Sequence, residues 1–270
     1  MPFAEVNDTK LYYRLVGEGT PLVMISGLGS DHAVWGYQVR DFRKEFCCLV
    51  FDNRGSGQSN SGELSLEHLA DDTGALMNSL GVPAAHVLGT SMGGAIAMHL
   101  ALRHPLKVLS LSLNSTWART DPYQRHLFDL MLDIAADERA EREKMAILRR
   151  LLFLLSFTPH YISGRPEQAS NMLAASLQGR QPVKNFTAQV RACITHDINS
   201  KLHKICVPAL VSVGQLDTLT PPHLSSLIHD GIKHSVMEIL PGLGHAAFME
   251  EPAKFNRLHA AFWKSLENRA

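Results

Sequence analysis

Six short apolar runs, each leading into Gly, Asp, Asn or Pro, restrict the folds open to this chain more than any other feature. Pro21-Leu22-Val23-Met24-Ile25-Ser26 leads into Gly27-Leu28-Gly29, and Cys47-Cys48-Leu49-Val50-Phe51 into Asp52-Asn53-Arg54-Gly55. His86-Val87-Leu88 leads into Gly89, Val108 to Leu113 into Asn114, Val207 to Val213 into Gly214, and Val236 to Leu240 into Pro241. Runs this short, apolar at consecutive positions, are expected to be strands buried on both faces, as in a parallel sheet. Helical patterns separate them: Ser65 to Leu80, Ser91 to His104, and an amphipathic stretch from Ala253 to Leu266. Strand alternating with helix predicts an α/β protein with a doubly wound, mostly parallel, eight-stranded sheet. The alternating segments Phe3–Val6 and Leu11–Leu15 supply an antiparallel hairpin at its start.

One connection is too long. Asn114 and Val207 are 93 positions apart, whereas a strand–helix–strand crossover needs roughly 30 residues. The surplus reads as helix over Gln124–Leu155, Gln168–Leu177 and Pro182–Ala192. The expected organisation is a core of residues 1–117 and 201–270, with a helical cap, 118–200, inserted between strands 6 and 7. Within it, Leu151 to Leu155 reads as core or lid packing. The basic stretch Arg139 to Arg150, interleaved with Glu138, Glu141 and Glu143, reads as a solvated helix face.

Charge excludes some functions. Lys plus Arg and Asp plus Glu each number 26, so nothing favours nucleic acid or an anionic membrane. No apolar run approaches the length of a bilayer span, and Met1 to Glu5 lacks the pattern of a signal peptide. Cys47, Cys48, Cys193 and Cys206 show no metal or redox spacing and fit a reducing cytoplasm. His99 and His104 are five apart without a glutamate between them, wrong for a helical zinc pair. His196 and His203 read as surface. No metal and no organic cofactor is expected.

The chemistry points to Gly89-Thr90-Ser91-Met92-Gly93. Gly-x-Ser-x-Gly arises by chance in about one chain in ten of this length, but this copy follows an apolar strand and opens a helix. A nucleophile elbow requires that setting: a sharp strand-to-helix turn that lifts the serine oxygen out of the sheet. A serine hydroxyl needs a base. His245 lies past the last strand in Pro241-Gly242-Leu243-Gly244-His245, and Asp217 follows the strand before it. The chain order Ser91, Asp217, His245 matches that of α/β-hydrolases. Asp52 and Arg54 are expected to organise the loop after their own strand.

With the Ser26-Gly27-Leu28-Gly29-Ser30 and Asp52-Asn53-Arg54-Gly55-Ser56-Gly57-Gln58-Ser59 stretches, the chain resembles the small α/β-hydrolases of the esterase, enol-lactonase and C–C hydrolase group. The resemblance implies an oxyanion hole from the backbone N–H groups of Leu28 and Met92. It departs at Ser26, where many relatives carry His, which bears on how that loop is pinned. The expected reaction is acyl transfer to water, with a small, largely apolar carboxylic ester, thioester or lactone as substrate and no macromolecular partner beyond a monomer or homodimer. Trp35, Trp117, Phe153, Phe157 and Tyr161 are the expected substrate-pocket residues. The rivals are C–C bond or enol-lactone hydrolysis by the same triad, perhydrolysis as a side activity, and a low-turnover ligand-binding receptor or scaffold.

Overall fold

The computed structural model describes residues 2–267. Eight strands are numbered in chain order: β1 (Phe3–Val6), β2 (Thr9–Val16), β3 (Thr20–Ile25), β4 (Phe46–Phe51), β5 (Ala85–Thr90), β6 (Val108–Asn114), β7 (Ala209–Gly214) and β8 (Ser235–Leu240). They form one sheet in the order β1-β2-β4-β3-β5-β6-β7-β8. The β1–β2 and β2–β4 pairs are antiparallel and every later pair is parallel. This is the doubly wound sheet expected from the apolar runs.

Both faces of the central strands are covered, which explains why their runs lack polar alternation. The edge strand β8, also expected to be buried on both faces, instead leaves Val236 and Ile239 exposed, because no strand or helix among the described residues covers its outer side chains. Leu22, Met24, Cys48 and Val50 pack on one side with α1 (Gly36–Phe42) and the C-terminal helix, through Phe42 and Trp263. Val23, Ile25, Leu49 and Phe51 point the other way, onto α2 (Leu66–Ser79) and α3 (Met92–Arg103). Successive strand side chains alternate between faces, so each residue of β3 and β4 must be apolar for one layer or the other. β3 pairs with β4 on one side and β5 on the other. The loops after β3 and β5 therefore part at a topological switch point, where open α/β sheets place their ligands.

Between β6 and β7 stand α4 (Pro122–Ala136), α5 (Glu141–Ser156), α6 (Pro159–Gly164), α7 (Pro166–Leu177) and α8 (Val183–Ile194). The helical pattern read as continuous from Gln124 to Leu155 breaks at residues 137–140 into α4 and α5. α4 begins with a capping box in which Asp121 and Gln124 exchange side-chain and backbone bonds. After β7 come α9 (Pro222–Gly231), α10 (Ala247–Glu250) and α11 (Pro252–Glu267). No helix of the described residues is long and apolar enough to cross a membrane.

Buried histidines complicate this core. His196, read from sequence as surface, is buried: one ring nitrogen meets the Trp117 carbonyl at 3.1 Å and the other the His99 ring at 3.3 Å. His259 is fully buried on α11, 4.0 Å from Phe255 between ring centres. Its Nε2 faces the Ser212 hydroxyl at 3.3 Å, and its Nδ1 has no partner among the described residues. Burial pushes its pKa down to about 3, against about 6.5 in an unfolded chain. The unfolded state therefore binds the extra proton as pH drops below 6.5, and the stability His259 leaves intact at neutral pH is lost on acidification. Between pH 7.5 and 5 this group alone should lower the unfolding free energy by about 2 kcal/mol. His259→Leu should shrink the difference between urea denaturation free energies at those two pH values by that amount. An unchanged difference would remove His259 as its source.

Candidate active site

Ser91 sits where β5 becomes α3, with φ 55° and ψ −126°. This mirrors an extended conformation, and a non-glycine residue held there stores about 1–3 kcal/mol of strain. Surrounding bonds enforce it: the Ser91 N–H donates to Asn114 O at 3.0 Å, and the Ser91 carbonyl accepts from the Gly94 N–H at 2.9 Å and the Thr116 hydroxyl at 2.8 Å. The flanking glycines are steric necessities. A β-carbon on Gly89 would collide with the Gly93 carbonyl, and one on Gly93 with the Ile25 carbonyl.

His245 and Asp217 come together from the loops after β8 and β7. His245 Nδ1 lies 2.9 Å from Asp217 Oδ2, and both residues are buried. Asp217 Oδ1 accepts from the Leu219 and Thr220 N–H groups at 2.9 and 2.8 Å, and Oδ2 accepts from the Thr220 hydroxyl at 2.7 Å. Burial by itself would raise the Asp217 pKa. The opposing charge and hydrogen bond of His245, with the Thr220 donors, outweigh it and hold the carboxyl below its ordinary value. An ionised carboxylate only accepts, so His245 carries its proton on Nδ1 and offers Nε2 as a base.

Two residues that sequence reasoning missed position this loop. Thr220 donates to Asp217 and has its oxygen 3.1 Å from His245 Nδ1. Buried Glu250 accepts from the Gly244 N–H at 2.7 Å and from the Thr158 N–H, tying the histidine loop to the start of α6. Neither follows from spacing; Thr220, three residues past an aspartate before Pro221-Pro222, carried the only available hint.

The loop after β3 is pinned without a histidine at position 26. Asn53 Nδ2 donates to Ser26 O at 3.1 Å, and the Ser30 N–H to Gly27 O at 3.3 Å. Gln189 on α8, also missed, accepts from the Gly29 N–H at 3.3 Å and donates to the Ser56 hydroxyl at 2.8 Å. Asp52 accepts from the His32 and Gln58 N–H groups, and Arg54 chelates Asp72. Both organise loops, and neither lines the cavity that holds Ser91. The Leu28 and Met92 N–H groups have no acceptor among the described residues.

Ser91 and His245 open on one cavity of about 360 Å³ between the carboxyl ends of the strands and the inserted helices. Trp117, Phe153, Phe157 and Leu28 line it, with Phe128 and Met131 from α4. Two expected pocket residues lie elsewhere. Trp35 is fully buried beneath its turn, 5.1 Å from Phe248, while its neighbours Ala33 and Val34 face the cavity. Tyr161 lies one layer back, stacked on Phe157 at 5.2 Å with Arg165 over its ring. Arg149 departs from the expected solvated face of α5: only 8% exposed, it lines the cavity. The spacing Arg149, Leu152, Phe153, Ser156 is one face of a helix, and that face turns inward.

The model of the alpha/beta hydrolase fold matches residues 20–252. The chain belongs to that family. This α/β-hydrolase is 29% identical over 267 residues to a protein of Azorhizobium caulinodans named "Putative carbamate hydrolase RutD", covering 97% of this chain and 98% of that one. Among solved structures it is similar to the enol-lactonase from Burkholderia xenovorans LB400 (27% identity, TM-score 0.89, 97% and 100% of the two chains). It is also similar to an N-acyl homoserine lactone degrading enzyme (25% identity, TM-score 0.82, 97% and 100%).

Proposed function

We propose that this α/β-hydrolase cleaves a small carboxylic ester, thioester or lactone with a largely apolar acyl part, through an acyl-enzyme on Ser91. The observation that carries this reading is the His245–Asp217 pair at 2.9 Å sharing a predominantly apolar cavity with the strained Ser91. Ser91 Oγ attacks the carbonyl carbon while His245 Nε2 takes the hydroxyl proton. Asp217 holds the tautomer and stabilises the imidazolium. The Leu28 and Met92 N–H groups receive the developing oxyanion, each contributing about 3 kcal/mol. The acyl–oxygen bond then breaks, and the departing alcohol takes the proton from His245. Water, deprotonated by the same nitrogen, adds to the acyl-enzyme and releases the acid and free Ser91. The inserted helices act as a cap that excludes bulk water and selects the acyl group.

Carbamate hydrolysis is the second reading, suggested by the name of the relative and open to the same steps. A panel of p-nitrophenyl esters from acetate to laurate, lactones, carbamates and β-diketones separates these chemistries. Esters or lactones are expected to turn over fastest, and a fluorophosphonate should add once, on Ser91. Folded protein that neither labels nor turns over any of the panel would leave a binding role instead.

A further inference from the structure

The cavity wall holds a cation with no carboxylate paired to it among the described residues. Arg149, on α5, is buried, yet none of its nitrogens lies within 4.0 Å of a carboxylate among the described residues. Its one hydrogen bond is long, from Nη1 to the Leu177 carbonyl at 3.4 Å, at the end of α7. Nε and Nη2 have no acceptor among the described residues, and Arg149 lines the cavity. Gly179 keeps this arrangement possible: a β-carbon there would come within 2.8 Å of Nη2. Asp31 lines the same cavity and attracts the guanidinium at a distance, but its own Oδ1 caps the Ala33 N–H at 2.9 Å.

A buried guanidinium stays charged, and burying it unpaired is costly. Its planar fork matches a carboxylate through two parallel N–H···O bonds. Much of the rest of the wall is apolar, through Leu127, Phe128, Met131, Leu152 and Phe153, with Gln124, Ser156 and Ser176 among its polar residues. We propose that Arg149 receives a carboxylate at the far end of the substrate's acyl chain, so that the preferred ester or lactone is a monoanion with an apolar middle. This rests on the hydrolase reading above and narrows its substrate class. The pairing removes the cost of the lone cation only when such a substrate is bound, which favours an anionic acyl chain over a neutral one of equal length.

The test compares 4-nitrophenyl hydrogen adipate, with a terminal carboxylate, with neutral 4-nitrophenyl hexanoate. Wild type should show a kcat/KM at least about tenfold higher for the anionic ester. In Arg149→Met that ratio should fall by about 100-fold, and Arg149→Lys should recover part of it. A structural role would move both substrates together and leave the ratio intact. An unchanged ratio in Arg149→Met, or a wild-type preference for the neutral ester, overturns the proposal. Calorimetry with monomethyl adipate on Ser91→Ala reads binding without turnover. Binding that Arg149→Met abolishes in that background supports the site even if no ester is hydrolysed, which would instead count against the hydrolase reading. No binding of the monoanion to the folded protein counts against Arg149.

Discussion

Ser91→Ala should lower kcat for the best ester or lactone by about 10⁴-fold or more, the scale seen when the nucleophile of a serine hydrolase is removed. The loss is large because attack, not binding, depends on Oγ. The cavity walls and the Leu28 and Met92 N–H groups stay in place, so ligand binding should survive. Stability should barely change, because alanine must adopt the same positive φ as serine (55°). Ser91→Gly separates the two consequences. It is equally inactive, but glycine populates this conformation freely, so the strain of about 1–3 kcal/mol is relieved. Thermal unfolding of the glycine variant should rise by several degrees over the alanine variant. Retention of turnover in Ser91→Ala would remove this serine as nucleophile. Equal melting temperatures for the two variants would mean that the turn is not strained.

Asp217→Asn should cost about 10⁴-fold in kcat while leaving the protein folded. The hydrogen bonds around the side chain say why. Oδ1 accepts from the backbone N–H groups of Leu219 and Thr220, which cannot reverse their polarity. The asparagine oxygen must therefore stay there, and its NH₂ must take the place of Oδ2, facing His245 Nδ1. That nitrogen is forced to accept, so the imidazole proton moves to Nε2. A base whose lone pair faces the wrong way cannot take the Ser91 proton. The variant should also lose a pH-dependent contribution to stability. The carboxyl is held below its ordinary pKa in the fold, so its stabilisation is present above about pH 4 and fades as pH falls through the folded value. Wild-type turnover in Asp217→Asn would show that no carboxylate orients His245.

The residues of the proposed triad stood out in the sequence because their constraints are local. β5, the elbow and α3 are contiguous, and Gly89 and Gly93 are required by atoms a few residues away or on the adjoining strand. Asp217 and His245 each lie in the loop after a strand, and β7 and β8 are parallel neighbours, so both loops fall side by side at the carboxyl edge of the sheet. The doubly wound sheet was legible for the same reason, since strands covered on both faces leave no polar alternation.

The inserted helices were harder to read because helical periodicity shows that a face is apolar without showing what it meets. Tyr161 and Phe157 are four residues apart, yet Phe157 lines the cavity and Tyr161 backs it. His196 read as surface because nothing nearby in sequence announces that Trp117 and His99 will enclose it.

Sequence by itself determined the fold class and the order Ser91, Asp217, His245, because strand burial and the elbow turn are imposed within short stretches of chain. Only the tertiary structure decided that Thr220 and Glu250 hold the histidine loop, that Gln189 pins the turn at Gly29, and that Arg149 faces inward. These contacts join residues whose sequence separation carries no periodic signal. A charged side chain amid other charges reads as solvated until the packing of α5 among α4, α7 and α8 removes the water around it.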